Sequence, residues 1–366
     1  MMSMIRGQRP NRTRGRSGHA LAALVCTALA VSCGGSSGGG TASDDTPSTT
    51  SAPELNVERP EGPWTYITAQ TARSDIPDAA KGLAGERRLK VTPVCGSGPC
   101  DLEVTPNGAD GSYLPEGATK KEGSSPSEPY TVVWNQASST YTSTSEPSTT
   151  SCTNAEYKVI PDAYTNSTTT TLTFTPAGNG QLASLTGTYV WTITSTPEGE
   201  AQGCTPFVDS GTIVATPTGA LDGDATPELV GEYAPTLIVE KEEGVGAITP
   251  GFRHQLKNAT IGGTDGDYTI SLHFNAATSL TRSDAGWSGT SPETTVGQSC
   301  GEVGEGFTTT ETFTDLQPVA LTANGDPVLT GKYRLFLNPT EAGVVAGCSL
   351  TTREGYLILV PTSALG

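Results

Sequence analysis

One motif occurs twice in the chain, and this repetition constrains the fold more than any other feature of the sequence. Leu185–Tyr189 reads LTGTY, and Leu329–Tyr333 reads LTGKY. In each copy a cysteine follows the first leucine by 19 residues, and a glycine follows that cysteine by seven; these residues are Cys204, Gly211, Cys348 and Gly355. Several matches in one order and at equal spacing indicate an internal duplication.

Further matches extend the duplication to two whole domains. The matching segments are Gly62–Trp64 with Gly231–Tyr233, and Asp101–Val104 with Asp267–Ile270. A length of roughly 300 residues is more than one typical domain holds. We therefore predict related domains at 61–215 and 229–366. Between them, 216–228 (TPTGALDGDATPE) is rich in Pro, Gly and Asp and is predicted to be a linker.

Alternation of side-chain type dominates both copies. Aromatic or aliphatic residues occupy every second position after each motif, at Tyr189, Trp191 and Ile193 and at Tyr333, Leu335 and Leu337. This period of two is typical of half-buried strands, and Asn-Gly and Asp-Gly pairs predict the hairpin turns between them. The predicted fold class is all-β, with two tandem antiparallel domains. An up-and-down barrel or a sandwich would fit, and the sequential hairpins favour the barrel.

The first 33 residues have the three parts of an export signal. Five arginines and no acidic residue precede a short apolar run, Ala20–Val31, and Cys33 follows it. The run is shorter than the about 20 residues that a membrane-spanning helix needs. The segment Ala30–Cys33 (AVSC) resembles the lipobox of bacterial lipoproteins. That resemblance implies that residues 1–32 are removed as a signal peptide and that Cys33 is acylated with chains such as palmitate.

The segment that begins at Cys33 is predicted to be a flexible tether. Residues 33–60 are rich in Gly, Ser, Thr and Pro and lack the apolar surface needed to fold. The lipobox resemblance thus implies an extracytoplasmic protein anchored to the outer face of the cell membrane. Loss of the signal peptide leaves 16 basic and 38 acidic residues, a charge that repels phosphate backbones. Nucleic acid is therefore not an expected partner.

The remaining cysteines are predicted to form three disulfides. Of eight cysteines, Cys26 lies in the signal peptide and Cys33 is the predicted lipid site, which leaves an even number in an exported protein. The repeat predicts the pairs Cys152–Cys204, Cys300–Cys348 and Cys95–Cys100. The last pair is absent as a whole from the second copy, where Ile261 and Gly266 align with it. Zinc-type spacing is lacking, so no metal site is predicted.

No motif in the sequence defines a catalytic site. A Gly-x-Ser-x-Gly nucleophile elbow is absent, and we interpret His254 and His273 as structural or exposed residues. Close carboxylate pairs sit beside glycines and are typical of turns; they are Asp222 with Asp224, Asp265 with Asp267, and Glu302 with Glu305. The four tryptophans are predicted mainly to pack the cores rather than to bind sugars; they are Trp64, Trp134, Trp191 and Trp287.

These features predict a lipid-anchored, non-enzymatic protein of the cell envelope. Its role would be structural or the binding of a small molecule, a glycan or an envelope protein, with no cofactor and no catalytic residue assigned. The alternative is an envelope hydrolase that acts on glycans through paired carboxylates, which fold geometry rather than local spacing would bring together.

Overall fold

The computed structural model describes residues 59–75, 81–106, 128–154, 158–177, 182–221, 227–244, 251–264, 266–272, 277–296 and 305–365. Cys33 and almost all of the predicted tether lie outside these ranges. Strands predominate, and they form two antiparallel sheets, one for each copy of the repeat. The predicted all-β class is therefore confirmed.

The first sheet closes into a barrel. Its strands are β1 Gly62–Arg73, β2 Ala84–Pro93, β3 Leu102–Pro106, β4 Tyr130–Asn135, β5 Thr140–Thr144, β6 Ser148–Thr153, β7 Val159–Thr175, β8 Ser184–Ser195 and β9 Phe207–Pro217, with a short helix α1 Pro197–Ala201 before β9. Hydrogen bonding runs from β1 through β5, passes to β7, β8 and β9, and returns to β1. The strand β6 continues beyond β5 along the same edge of β7. The first copy is thus the predicted up-and-down barrel, with β6 as an added strand.

The second sheet repeats this path. Its strands are β10 Gly231–Glu243, β11 Arg253–Gln255, β12 Ala259–Thr264, β13 Asp267–Ser271, β14 Thr278–Ser283, β15 Gly286–Thr290, β16 Thr294–Val296, β17 Phe307–Leu321, β18 Pro327–Pro339 and β19 Thr351–Pro361, with helix α2 Glu341–Val345 before β19. The pairing of β10 with β19 closes the path, while β11 and β16 extend it at β10 and β17. We refer to β1–β9 as the first barrel and to β10–β19 as the second barrel.

The glycine of each repeated motif has a packing role. Tyr189 lies opposite Gly211 in the β8–β9 pair, and Tyr333 lies opposite Gly355 in the β18–β19 pair. A Cβ atom on Gly211 would lie 2.1 Å from the carbonyl oxygen of Ala69, and one on Gly355 would lie 2.2 Å from that of Ile238. Only glycine fits at these two positions, which explains why the spacing survives in both copies.

Strand register corrects one alignment of the two copies. Val91 pairs with Gly62, and Ile261 pairs with Gly231, so Ile261 is the counterpart of Val91 rather than of Cys95. The reason is the length of one connection: residues 94–101 join β2 to β3, whereas 265–266 alone join β12 to β13. The equivalence of Asp101–Val104 with Asp267–Ile270 holds, since Val104 and Ile270 occupy matching register positions.

Two of the three predicted disulfides are confirmed. Cys95 is bonded to Cys100 within the β2–β3 connection, and Cys152 on β6 is bonded to Cys204 beyond α1. Cys348 is also disulfide-bonded, while its predicted partner, Cys300, lies outside the described residues. Disulfides persist in oxidising compartments, so these bonds indicate an extracytoplasmic location.

The two barrels pack against each other within one compact unit. Apolar side chains of β1, β2 and β9 meet those of β10, β17, β18 and β19 in one buried cluster. Tyr356, a member of that cluster, donates its hydroxyl to Glu86 Oε2 at 2.5 Å, and Arg88 Nε lies 3.0 Å from Glu86 Oε1. Burial raises the pKa of Glu86 above its ordinary value, and Arg88 and Tyr356 oppose that rise.

Candidate functional site

The predicted carboxylate pairs do not form a described site. Asp267 and Glu305 are exposed, and the other members lie outside the described residues, as does His273; those members are Asp222, Asp224, Asp265 and Glu302. Within the described ranges, no group of three or more His, Cys, Asp or Glu side chains could hold a metal ion. The described carboxylates that are buried belong instead to hydrogen-bonded networks in each barrel.

His254 lies near an ion pair in the second barrel. It pairs in register with Leu237 of the core, so both side chains are on the inner face. Arg353 Nε donates to Glu242 Oε1 at 2.9 Å. Burial lowers the pKa of His254, Arg353 lowers it further, and Glu242 opposes both effects. The interpretation of His254 as structural agrees with this ion pair beside it.

Each barrel also joins its motif tyrosine to a buried carboxylate. Tyr333 donates to Glu311 Oε1 at 2.7 Å in the second barrel, and Tyr189 donates to Asp209 Oδ1 at 3.1 Å in the first. Gln70 Nε2 donates to the other oxygen of Asp209 at 2.6 Å. Glu311 is 1% exposed and Asp209 is 8% exposed. Sequence reasoning missed these pairs because the carboxylates come from different strands in the two copies.

Matching positions at this end of the barrels carry opposite charges. Arg73 pairs in register with Asp209 in the first barrel, and Glu242 pairs with Arg353 at the equivalent place in the second. The strand β1 has an irregularity between Gln70 and Ala72, and β10 has one between Val239 and Lys241, so the equivalence includes the local backbone. Inversion of both charges therefore keeps opposite charges paired in register at this place in each barrel.

A recess lies at the other end of the second barrel. Its volume is about 480 Å³, and its lining includes Glu228, Thr264, Arg282, Tyr268 and Trp287. The two aromatic rings pack edge to face with their centroids 5.9 Å apart, and the Arg282 guanidinium lies 5.2 Å from the Trp287 ring centroid. The indole N–H of Trp287 has no hydrogen-bond partner among the described residues. The recess therefore has an aromatic floor and a charged rim.

The same end of the first barrel is occupied by protein. The longer β2–β3 connection carries the Cys95–Cys100 bond, and Arg59 holds it by donating Nη1 to the Gly98 carbonyl oxygen and Nη2 to that of Gly96, each at 3.2 Å. Trp134 and Tyr141 stand where the second barrel has Arg282 and Trp287, since both pairs are directly opposed in register. The second copy has no such loop at the corresponding end, where the recess lies.

A much smaller cavity of about 30 Å³ lies inside the first barrel. Its wall is mostly apolar and includes Trp64, Leu89 and Leu172, with Tyr66, Tyr130, Ser143 and Thr170 as its polar members. About 10–15 Å³ is enough for one water, so the cavity has room for roughly two. Sequence reasoning could not locate it, because its polar members come from four separate strands.

The tryptophans divide between core and periphery. Trp64 and Trp287 are buried core residues, as predicted. Trp134 is partly buried and stacks on Tyr141 with ring centroids 4.8 Å apart, and Trp191 packs edge-on against Phe207 with centroids 5.8 Å apart. Of the four, Trp287 alone contributes to the wall of the recess.

Comparison with known proteins adds no relative. No protein-family model, curated protein sequence or solved structure matches the chain. None of the helices in the described part of the chain is long and apolar enough to span a membrane.

Proposed function

We propose that this chain is a lipid-anchored extracytoplasmic binding protein and that its ligand occupies the recess of the second barrel. The carrying observation is the recess itself, whose volume of about 480 Å³ falls within the usual range of small-molecule sites. Aromatic side chains with a few converging polar groups are the usual lining of such sites. The first barrel differs at the corresponding end, where its longer β2–β3 connection carries a disulfide loop.

The anchor is supported by the sequence around Cys33, and the extracytoplasmic location is supported by the disulfides. An apolar run, small residues, a cysteine and a Gly/Ser-rich segment coincide at the start of the chain. Two acyl chains give stable membrane attachment, because each buried CH₂ contributes about 0.8 kcal/mol. Mass spectrometry should find an acylated N-terminal Cys33, and Cys33→Ala should release the protein from membranes. An unmodified Cys33, or unchanged membrane retention, would contradict the anchor.

The binding role is tested with substitutions at the rim of the recess. Glu228 and Arg282 are exposed, so Glu228→Ala and Arg282→Ala should leave the fold intact. The probes are soluble cell-wall glycan fragments and a small-molecule library, applied to the full chain in detergent. We expect saturable binding that both variants weaken at least tenfold. The control is Arg334→Ala on β18, where the ion pair of Arg334 with Glu354 is exposed.

The same assay separates binding from hydrolysis. The hydrolase alternative requires turnover of glycan fragments by the purified chain, whereas a binding protein returns them unchanged. Hydrolysis whose rate is proportional to the protein concentration, and which is retained when the protein is repurified, would contradict the binding proposal and support the hydrolase. Equal affinity in wild type and both rim variants would show that the ligand binds outside the recess.

A further inference from the structure

The described residues that line the recess of the second barrel include one carboxylate and one guanidinium. Glu228 lies just before β10, and Arg282 lies on β14. In the order of hydrogen bonding, β14 is three strands from β10. Neighbouring strands are about 4.8 Å apart, so roughly 14 Å of barrel wall separates these two strands. The opposite charges therefore reach the recess from separate parts of its wall.

Arg282 is positioned by the floor of the recess. It is directly opposite Trp287 in the register of β14 and β15, and its guanidinium lies 5.2 Å from the ring centroid of that tryptophan. A guanidinium carries several N–H donors in one plane, more than one aromatic contact can occupy. A carboxylate can accept two of these donors in parallel. Arg282 thus offers a positioned partner to an anionic group of a ligand.

The first barrel shows what the position of Glu228 does when its charge is reversed. Arg59 stands three residues before Gly62, as Glu228 stands three residues before Gly231, and these two glycines match in strand register. Arg59 donates to the carbonyl oxygens of two glycines in the β2–β3 connection, at 3.2 Å each. In the first barrel this position therefore binds hydrogen-bond acceptors. A carboxylate at the same position binds donors instead, so Glu228 suits an ammonium group.

The positive charge of the recess is also specific to the second barrel. Trp134 occupies the position of Arg282 in the register of the first sheet. Each of the two is directly opposite an aromatic residue of the next strand, Tyr141 or Trp287. The first barrel closes with arginine and tryptophan at the two positions that carry Glu228 and Arg282 in the second. Barrel closure therefore does not account for these two charges, whereas a ligand with complementary charges would.

We propose that the ligand of the recess is a small zwitterion of the class of unblocked amino acids and dipeptides. Its carboxylate accepts from Arg282, its ammonium donates to Glu228, and its side chain packs on the aromatic floor. The volume of about 480 Å³ lies in the usual range of small-molecule sites. This inference rests on the proposed function, because it names the ligand class of the same recess.

The charge of the whole chain favours a ligand without net charge. The chain has 38 acidic and 21 basic residues, so its field repels a purely anionic ligand. A purely cationic ligand is attracted by that field but meets the guanidinium of Arg282 in the recess. A zwitterion is not repelled at long range, and each of its ends meets an opposite charge in the lining.

The test is calorimetric titration of the full chain, in detergent and at constant ionic strength, with phenylalanine and glycylphenylalanine in four forms each. The unmodified form carries both charges, the C-terminal amide only the ammonium, the N-acetyl form only the carboxylate, and the doubly blocked form neither. The zwitterion should bind saturably and about tenfold more tightly than either singly charged form, the factor expected for loss of a hydrogen bond to a charged group. The doubly blocked form should bind most weakly.

Two variants assign each charge of the ligand to its partner in the recess. Glu228→Gln should weaken binding only of the forms that carry an ammonium, and Arg282→Gln only of those that carry a carboxylate, by about tenfold in each case. The matched controls are Glu232→Gln on β10 and Arg334→Gln on β18. Each removes the same charge from an exposed side chain outside the recess lining and should bind as wild type does.

Three results would overturn the zwitterion. Equal affinity for the unmodified and doubly blocked forms would exclude recognition of charge. Losses in the two variants that do not follow the charges of the ligand would exclude the assigned contacts. Absence of binding by every form would exclude this ligand class. The proposed function would still stand if a glycan fragment or library compound bound with an affinity that Glu228→Ala and Arg282→Ala weaken, and it fails if none does.

Discussion

The two barrels share their backbone requirements and differ in their linings. Both keep the motif tyrosine opposite a glycine. Both also begin the short helix with a threonine whose hydroxyl accepts a hydrogen bond from the backbone N–H three residues later. Thr196 accepts from Gly199 N and Thr340 from Gly343 N, at 3.1 Å each. These are positions where geometry permits few residue types. Inner faces and barrel ends lack that constraint, so they are where the copies have diverged.

The divergence is clearest at the recess of the second barrel and at the cavity of the first barrel. The second barrel has a recess at the end where its β12–β13 connection is short, and the first barrel encloses a small cavity with four hydroxyl groups in its wall. Neither difference alters strand order or closure. A duplication therefore allows one barrel to serve as the reference for the other. The following substitutions test that comparison, from the largest expected effect to the smallest.

Removal of the Cys152–Cys204 disulfide should have the largest effect. Cys152→Ala with Cys204→Ala opens a loop with a sequence separation of 52 residues, and the chain-entropy model predicts a loss of about 4 kcal/mol. Cys95→Ala with Cys100→Ala opens a far shorter loop, and about 2 kcal/mol is expected. Denaturant unfolding of both double variants measures the difference. Equal losses would contradict loop length as the cause.

Removal of the motif tyrosine hydroxyls should be the next largest effect, and it should differ between the barrels. Tyr333→Phe removes a donor from Glu311, which is almost fully buried, and about 2 kcal/mol should be lost. Tyr189→Phe leaves the 2.6 Å bond from Gln70 to Asp209, so about 1 kcal/mol is expected. Urea unfolding measures both. A larger loss in Tyr189→Phe would show that Gln70 does not compensate.

Loss of the helix cap should lower the free energy of unfolding by the same amount in both barrels. Thr196→Ala and Thr340→Ala each remove one capping hydrogen bond from a five-residue helix, and each should destabilise by about 1 kcal/mol. Thr→Ser at either position retains the hydroxyl and is the matched control. A difference of more than twofold between the alanine variants would mean that the two caps have different surroundings.

The smallest expected effect is on pH dependence at the contact between the barrels. The pKa of Glu86 is raised above its ordinary value of 4.5, so the folded state holds that proton more tightly than the unfolded state. Its contribution is complete below about pH 4.5 and is lost as pH rises through the folded pKa. Wild type should therefore lose stability over that range relative to Glu86→Gln. A constant difference between the two proteins across the range would contradict the raised pKa.

The sequence predicted those parts of the fold that depend on local pattern or on spacing. Alternation around Tyr189 and Tyr333 predicted strands, and the spacing to Cys204 predicted a disulfide partner for Cys152. Prediction failed where loop length mattered, since Ile261 was aligned with Cys95 across a connection that is shorter in the second copy. The alternation of residues along one strand does not reveal how many residues the following connection contains.

The candidate sites were beyond sequence reasoning for a different reason. Tyr356 and Glu86 are 270 residues apart in the chain, and Tyr66 meets Thr170 only once the barrel has closed. The lining residues of the recess come from separate strands and connections, so no local motif marks it. Trp287 was correctly assigned to the core, but nothing in its neighbours indicated that it also forms the floor of the recess.

Closure of each barrel has a consequence for the order of folding. Trp64 pairs with Pro217, and Tyr233 pairs with Pro361, so the first strand of each barrel completes its pairing only when the last strand arrives. Such non-local pairing makes folding slow, and β1 and β10 present unpaired edges until then. The Cys152–Cys204 bond joins segments that are closer in the chain, and it can form before closure. Oxidation of this pair would thus hold β6 and the region beyond α1 together before the last strand pairs with the first.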